Sequence, residues 1–170
     1  MATALFAERG YHEVTTAEIA ERAEVSVPTL FNYFSTKESL VFDEDSETEH
    51  KLVKTVENRR EGQSILDALL DAGFANIDSI IDDDKTHFAD FMALVEHTPE
   101  LSLYAQQMWM RHEKALATAI RREAKNKMGK LESEAVARFV LDSYHRSLRT
   151  PNPKESLRTL FSILREGWVG

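Results

Sequence analysis

The sequence predicts an all-α protein with a helix-turn-helix near its N-terminus. Three helix-start signals lie between residues 15 and 40, and from residue 61 onward apolar side chains recur at helical spacing without the alternation typical of β-strands. We therefore expect a three-helix helix-turn-helix domain over residues 1–42, followed by a helical domain of about five to six helices over residues 43–170.

The helix starts are marked by capping residues. Thr15 with Glu18, and Ser35 with Glu38, fit the capping box, in which a hydroxyl and a carboxylate each satisfy a free backbone N–H group. Between them, Ser26 can cap a further helix that carries a proline in its first turn. Three short helices joined by tight turns are the result.

The middle helix of the three is the candidate reading helix. Small and apolar side chains at Ile19 and Ala20 allow the preceding helix to cross it closely, which leaves one of its faces free to enter a DNA major groove. The outward candidates for base contacts are Val27, Pro28, Thr29 and Asn32.

This region resembles the DNA-binding domain of the TetR family of bacterial transcriptional repressors. The resemblance rests on LFAERGY at 5–11, TTAEIAERAEVS at 15–26 and TLFNYFSTKESL at 29–40. It implies base contacts in the middle of the reading helix, at the residues named above. It also implies phosphate contacts at Thr16, Phe31, Tyr33 and Lys37.

Two positions depart from the family pattern. Phe31 stands where the family usually has tyrosine, so the hydroxyl that would bind a phosphate is missing. Glu24 stands at the turn where the family usually has glycine, which predicts an adjusted turn at a position that favours a positive φ.

The family's first helix is also longer and follows a basic arm, so the resemblance implies that an N-terminal segment is missing before residue 1.

Composition sets limits on the function. The chain has a net charge of −8, and residues 1–42 carry more glutamates than cations, so little non-specific attraction to DNA is expected from charge. It has no cysteine, which excludes disulfides and thiolate chemistry. No apolar run is long enough to span a membrane and no signal peptide is recognisable, so we expect a cytoplasmic protein. No cofactor and no metal site are predicted.

The rest of the chain carries helical patterns. An acidic run at 43–49 is typical of a solvated helix face or loop, and apolar positions at helical spacing predict helices over 65–81, 88–95 and 98–120. The basic stretch at 121–130 suits a helix C-terminus better than a second nucleic-acid patch.

The last two predicted helices have the character of a pairing surface. Two such helices from each of two chains would form an isologous four-helix bundle, and the resemblance implies the same homodimer. The alternative is that these apolar stripes are buried only against their own chain. The predicted interface residues are Val136, Phe139, Val140, Ser143, Leu157, Leu160, Phe161, Leu164 and Trp168.

The resemblance also implies a ligand cavity among the middle helices. The candidate lining residues, most of which are expected to be ordinary core, are Phe74, Phe88, Phe91, Met92, Tyr104, Met108, Trp109, His112, Phe139 and Tyr144. Their composition suggests a small, largely apolar molecule, oriented by polar groups such as His112 or Tyr104. The expected function is a homodimeric repressor that such a molecule releases from a palindromic operator.

Two alternatives stay open. The first is a metal-dependent helical-bundle enzyme, because Glu47 and His50, Asp84 and His87, and Asp142 and His145 each place a carboxylate and an imidazole one helical turn apart. The second is a sensor dimer that has lost DNA binding. No catalytic residue is predicted, since the chain has neither a glycine-flanked serine nor a cysteine nucleophile.

Overall fold

The computed structural model describes residues 1–82, 85–125 and 127–167, and for residues 81, 82 and 85–87 it describes the backbone alone. Within this part of the chain all regular elements are helical. In chain order they are α1 (Ala2–Arg9), α2 (Thr16–Arg22), α3 (Val27–Tyr33), the 3₁₀ turn η1 (Glu38–Leu40), α4 (Asp45–Glu57), α5 (Ile65–Asp82), α6 (Lys85–His97), α7 (Pro99–Glu123), α8 (Lys130–Ser147) and α9 (Pro153–Glu166). The predicted all-α fold with an N-terminal helix-turn-helix is confirmed.

Two compact units make up the chain. Unit 1 comprises Met1–Ser46 and Asp84–Met108, and unit 2 comprises Glu47–Asp83 and Trp109–Gly170. Unit 1 therefore contains the predicted helix-turn-helix together with α6 and the first part of α7. No helix in the described ranges has the length and apolar character needed to cross a bilayer.

Unit 1 is built around one apolar cluster. Phe6, Val14 and Ile19 are almost completely buried, and α1 packs against α6 while α2 packs against α3. Ala20 retains only 1% of its exposure, which agrees with a close crossing of α2 and α3 over a small side chain. Leu30 is the buried residue of α3 in this cluster, and Val27 at the start of α3 packs against it.

Two of the predicted helix caps are present. The Thr15 hydroxyl accepts a hydrogen bond from the Glu18 backbone N–H at 3.2 Å, and the Ser26 hydroxyl accepts one from the Thr29 backbone N–H at 3.2 Å. Each cap satisfies a backbone donor that the first helical turn leaves free. The Glu18 carboxylate pairs with Arg9, so it serves an ion pair rather than the reciprocal half of a capping box.

The third predicted cap, Ser35 with Glu38, is wrong. Thr36 and Ser39 bond each other instead, because each backbone N–H donates to the other's hydroxyl at 3.2 Å. The element that follows is the short 3₁₀ turn η1 rather than an α-helix. The Glu38 carboxylate is used elsewhere, as the acceptor of the Tyr11 hydroxyl.

The turn between α2 and α3 confirms the positive φ expected at Glu24. Its φ is 55°, a left-handed conformation that costs a non-glycine residue about 1–2 kcal/mol. The Val25 N–H donates to the Ala20 carbonyl and the Glu24 N–H to the Glu21 carbonyl, both at 3.0 Å. This is the Schellman pattern that ends a helix, normally with glycine at the left-handed position.

Unit 2 is held together by close packing of α5, α8 and α9. A Cβ atom at Gly73 would lie 2.6 Å from Tyr144 Cε1 and 2.7 Å from Leu157 Cδ2, so glycine is needed for these helices to approach α5. The Tyr144 hydroxyl donates to the Leu69 carbonyl, one turn before Gly73 on α5. Burial of the phenol raises the pKa of Tyr144.

The Schellman turn makes a testable prediction for Glu24→Gly. Glycine adopts a positive φ without steric cost but adds freedom to the unfolded chain, so we expect a net gain of about 0.5–1 kcal/mol in the free energy of unfolding. Thermal unfolding followed by circular dichroism would measure it. The matched control is Glu21→Gly within α2, which should lower stability by about 1 kcal/mol. Equal losses in both variants would contradict the prediction.

Candidate nucleic-acid interface

Helix α3 presents an uncharged surface to solvent. Its start is fixed by the Ser26 cap and by a proline in the first turn, and Leu30 anchors it to the core of unit 1. Pro28 and Asn32, predicted to contact bases, are exposed on this helix, whereas Val27 is half-buried. The capped start and the Leu30 anchor therefore leave a neutral, partly apolar face of α3 open to contact.

The Thr29 hydroxyl is less free than its position in the sequence suggests. It lies 2.7 Å from the Ser26 hydroxyl, within the cap that begins α3, and its side chain is half-buried. Contact with a base would therefore compete with this hydrogen bond. Thr16, predicted to contact a phosphate, is half-buried at the first position of α2.

Two aromatic side chains on α3 are exposed. Tyr33 retains 80% of its exposure and Phe31 retains 40%. Positions 31 and 33 lie on opposite edges of a helix, because successive residues are about 100° apart around its axis. Tyr33 offers a hydroxyl to a ligand, whereas Phe31 offers only apolar surface.

Lys37, the fourth candidate for a phosphate contact, already has partners within unit 1. Its ammonium donates to the Tyr11 carbonyl at 2.6 Å and lies 4.3 Å from the centre of the Tyr11 ring. Burial lowers the pKa of Lys37, against an opposing influence of the nearby Glu38 and Glu100 carboxylates. An ammonium has three donors, so one hydrogen bond leaves capacity for a phosphate.

Tyr11 and Glu38 complete a cluster that the sequence did not predict. The Tyr11 hydroxyl donates to the Glu38 carboxylate at 2.8 Å, and we call the set Tyr11, Lys37 and Glu38 the Tyr11 clasp. Burial alone would raise the pKa of Glu38. Hydrogen bonds from its own backbone N–H, from Tyr11 and from Thr36, together with the Lys37 ammonium, lower it further than burial raises it. The only sequence signal for the clasp was the Lys-Glu pair after α3.

The cations of residues 1–42 all have partners inside unit 1. Arg9 and Arg22 both pair with the Glu18 carboxylate, and Lys37 donates to the Tyr11 carbonyl. Arginine and lysine supply most of the sequence-independent attraction to DNA by neutralising phosphates. This part of the chain therefore offers little uncompensated positive charge, and recognition through it would depend on short-range contacts.

The predicted ligand-binding residues divide between the two units. Five of them lie in unit 1, namely Phe88, Phe91, Met92, Tyr104 and Met108. Phe91 meets Phe42 edge-on with ring centres 5.8 Å apart, and Tyr104 stacks on Phe42 at 5.2 Å. These two aromatics therefore pack with a residue of the segment that joins the helix-turn-helix to α4.

Unit 2 holds the others, which are Phe74, Trp109, His112, Phe139 and Tyr144. His112 is buried to 1% exposure with the Trp109 ring edge-on at 5.6 Å, and Tyr144 stacks on Phe161 at 6.1 Å. Two open grooves of about 690 and 480 Å³ flank α7 in unit 2, and their linings share Lys114, Thr118 and Arg122. The predicted ligand-binding residues do not line either of these two grooves.

The predicted dimer-interface residues fall into two groups. Val140, Ser143, Leu157 and Phe161 are buried to 1% exposure or less inside their own chain, so they have no surface to offer a partner. Four others are partly exposed on α8 and α9, namely Val136, Phe139, Leu160 and Leu164. Trp168 lies outside the described residues.

The carboxylates of the alternative metal-binding hypothesis have cationic neighbours where the structure describes them. Glu47 pairs with Lys51 at 2.8 Å, and Asp142 pairs with Arg146 at 2.6 Å. Asp84 and the side chain of His87 lie outside the described residues. Among the described residues, no three or more histidine, aspartate or glutamate side chains are grouped so as to hold a metal ion.

Comparison with known proteins places this surface in context. Residues 1–43 match the family model described as bacterial regulatory proteins, tetR family. The HTH-type transcriptional regulator TcmR of Streptomyces glaucescens is 33% identical over 103 residues, which cover 57% of this chain and 45% of TcmR. The aligned part thus spans less than half the length of that relative.

Two solved structures share the fold over nearly the whole chain. GusR of Salmonella enterica superposes with a TM-score of 0.59 at 21% identity, covering 97% of this chain and 88% of GusR. The TetR family transcriptional regulator PfmR of Thermus thermophilus superposes with a TM-score of 0.52 at 22% identity, covering 99% of this chain and 94% of PfmR. At these identities the similarity shows the fold.

The Tyr11 clasp predicts an acid-sensitive contribution to stability. The pKa of Glu38 lies below its ordinary value of 4.5 in the folded state, so its stabilising contribution is present above that value and is lost as the pH falls through the lowered pKa. We expect Glu38→Gln to be less stable than the natural chain at neutral pH. The difference in the free energy of unfolding between the two proteins should be smaller at about pH 3.5 than at neutral pH.

Urea unfolding midpoints at the two pH values would measure this difference. The matched control is Glu8→Gln, because Glu8 is exposed on α1. That variant should have the same urea unfolding midpoint as the natural chain at both pH values. A difference for Glu38→Gln that stays constant on acidification would argue against a role for its charge.

Proposed function

We propose that this chain, whose residues 1–43 match the tetR family of bacterial regulatory proteins, is a TetR-family transcriptional regulator that inserts α3 into the major groove of double-stranded operator DNA. The proposal is carried by one observation. A capped, uncharged α3 is anchored by Leu30 and exposes Pro28, Asn32 and Tyr33 to solvent. Regulators of this family are not enzymes, and no catalytic role is assigned.

Different residues would make different kinds of DNA contact. Asn32 is the strongest candidate for base recognition, because it is exposed and its amide can bond adenine in two places. Val27, Pro28 and Thr29 would line the same groove. Thr16, Tyr33 and Lys37 would meet phosphates on either side and so fix the position of α3 without reading sequence.

Homodimerisation through α8 and α9 would present α3 twice. The partly exposed Val136, Phe139, Leu160 and Leu164 provide apolar surface for such a contact, above the core formed by their buried neighbours. An isologous pair would relate the two α3 helices by a two-fold axis, so the preferred operator would be a palindrome. Self-association would therefore set the spacing of the half-sites.

Regulation would come from a small, largely apolar molecule that binds among the middle helices. The aromatic residues of the middle helices support this part of the proposal, with either His112 in unit 2 or Tyr104 in unit 1 as the group that would orient a ligand. A ligand that binds one arrangement of the helices more tightly would change the occupancy of the operator. If ligand binding releases the operator, the protein would act as a repressor that the ligand inactivates.

One observation favours a second candidate, a sensor dimer that has lost DNA binding. The intramolecular partners of Arg9, Arg22 and Lys37 leave little positive charge for phosphates. Selection of bound sequences from a random duplex pool separates the two functions. Enrichment of a palindrome supports operator binding, whereas recovery of unselected sequence by a folded dimer would support the second candidate.

The residue roles give a prediction on the selected operator. Asn32→Ala should relax preference at one base pair by about 1–3 kcal/mol. Lys37→Ala should weaken binding to all sequences alike. It should also reduce by about 1 the slope of the logarithm of the binding constant against the logarithm of salt concentration, here called the salt slope. Fluorescence anisotropy across a salt series would measure both effects.

The control for these variants is Asn76→Ala, an exposed asparagine on α5 in unit 2. It should leave both affinity and base preference unchanged. An altered base preference in Lys37→Ala with an unchanged salt slope would reverse the assigned roles.

The dimer makes a separate prediction. Leu164→Glu places a charge on the partly exposed stripe of α9 and should convert a dimer into a monomer at micromolar concentration, because an unpaired charge is costly in an apolar interface. Analytical ultracentrifugation would detect the change. Thr159→Glu adds the same charge at an exposed position of α9 and should leave the dimer intact. A natural chain that sediments as a monomer would refute the proposed assembly.

A further inference from the structure

Helix α3 has an apolar edge made of Pro28 and Phe31. The two residues are three positions apart, so they are neighbours on the surface of the helix. Both side chains are exposed, and Phe31 retains 40% of its exposure. No other described ring lies close enough to Phe31 to form a stacked or edge-on pair with it. The edge is therefore a solvent-facing apolar surface on the helix proposed to enter DNA.

The chemistry of Phe31 does not fit a phosphate contact. A phenyl ring has neither donor nor acceptor for a hydrogen bond, and a phosphate oxygen placed against it would lose water without gaining a partner. The opposite edge of α3 suits that task, because Tyr33 retains 80% of its exposure and carries a hydroxyl. The two edges of the helix are thus chemically different.

The major groove contains one apolar group that differs between bases, the C5 methyl of thymine. Pro28 and Phe31 together offer a surface that complements it, and α3 carries no charge that would demand another partner there. We propose that Phe31, supported by Pro28, is a specificity-determining residue that selects thymine through its C5 methyl group. This inference rests on the proposed DNA-binding function and names a base that the operator must contain.

The methyl contact has an alternative that can be separated from it. The same ring could pack on a deoxyribose, which would contribute affinity without distinguishing bases. Uracil differs from thymine only in lacking the methyl group and keeps every hydrogen-bonding position. Replacing thymine by deoxyuridine therefore isolates the methyl group while leaving the sugar and the phosphate unchanged.

The test uses the full chain and the duplex enriched from a random pool. Each thymine of one half-site is replaced in turn by deoxyuridine, and binding is measured by fluorescence anisotropy for the natural chain and for Phe31→Ala. We expect one or two replacements to weaken binding of the natural chain by about fourfold each, the value of one buried methyl group. The same replacements should have no effect on Phe31→Ala.

The control protein is Tyr33→Phe, which changes the opposite edge of α3. It should bind more weakly overall and keep the full discrimination between thymine and uracil. Circular dichroism of each variant checks folding, and Phe31→Leu, which retains apolar surface, provides a second variant with reduced but measurable discrimination.

Three outcomes decide the inference. Loss of discrimination in Phe31→Ala alone supports it. Deoxyuridine replacements that leave the natural chain unaffected overturn it, and so do replacements that weaken the natural chain and Phe31→Ala equally. Failure to enrich any duplex is a different result, because it would overturn the proposed DNA binding itself.

Discussion

The Tyr11 clasp is the constraint on which the direction of α3 depends. Helix α3 has only seven residues, and a helix of this length is not stable without tertiary support. Its start is held by the Ser26 cap, and the chain beyond its end is held by the hydrogen bonds that join Lys37 and Glu38 to Tyr11. These contacts connect the segment after α3 to the loop after α1. The exposed residues between the two anchors can therefore keep a fixed orientation toward a ligand.

Local chemistry made much of unit 1 predictable from sequence. The caps at Thr15 and Ser26 each join residues three positions apart in the sequence. The positive φ at Glu24 follows because a helix commonly ends with one residue in the left-handed conformation. The cap predicted before η1 was wrong because Ser35 and Thr36 are adjacent hydroxyl residues, and either one could bond the backbone at the start of the next element. Glu38, the other half of the predicted cap, accepts instead from the Tyr11 hydroxyl, which lies 27 residues away and is therefore hidden from any local pattern.

In the helices of unit 2, an apolar stripe shows that a face is buried but does not show against what. The residues Leu157 and Phe161 have the pattern expected of a pairing surface, and they are completely buried in their own chain. The same limit applies to aromatic residues proposed for a cavity, since Tyr104 stacks on Phe42. Sequence patterns therefore located α5, α7, α8 and α9, whereas the surface that each apolar face packs against is known only from the structure.

Capture of a nucleic acid is accelerated when uncompensated cations face its phosphates. In residues 1–42, Arg9 and Arg22 share the Glu18 carboxylate and Lys37 turns toward Tyr11, within a chain of net charge −8. Under the proposed function, encounter would lack electrostatic steering and would proceed at about 10⁵–10⁶ M⁻¹ s⁻¹, the range of neutral partners. Residence time on the duplex, rather than speed of capture, would then determine which sites are occupied.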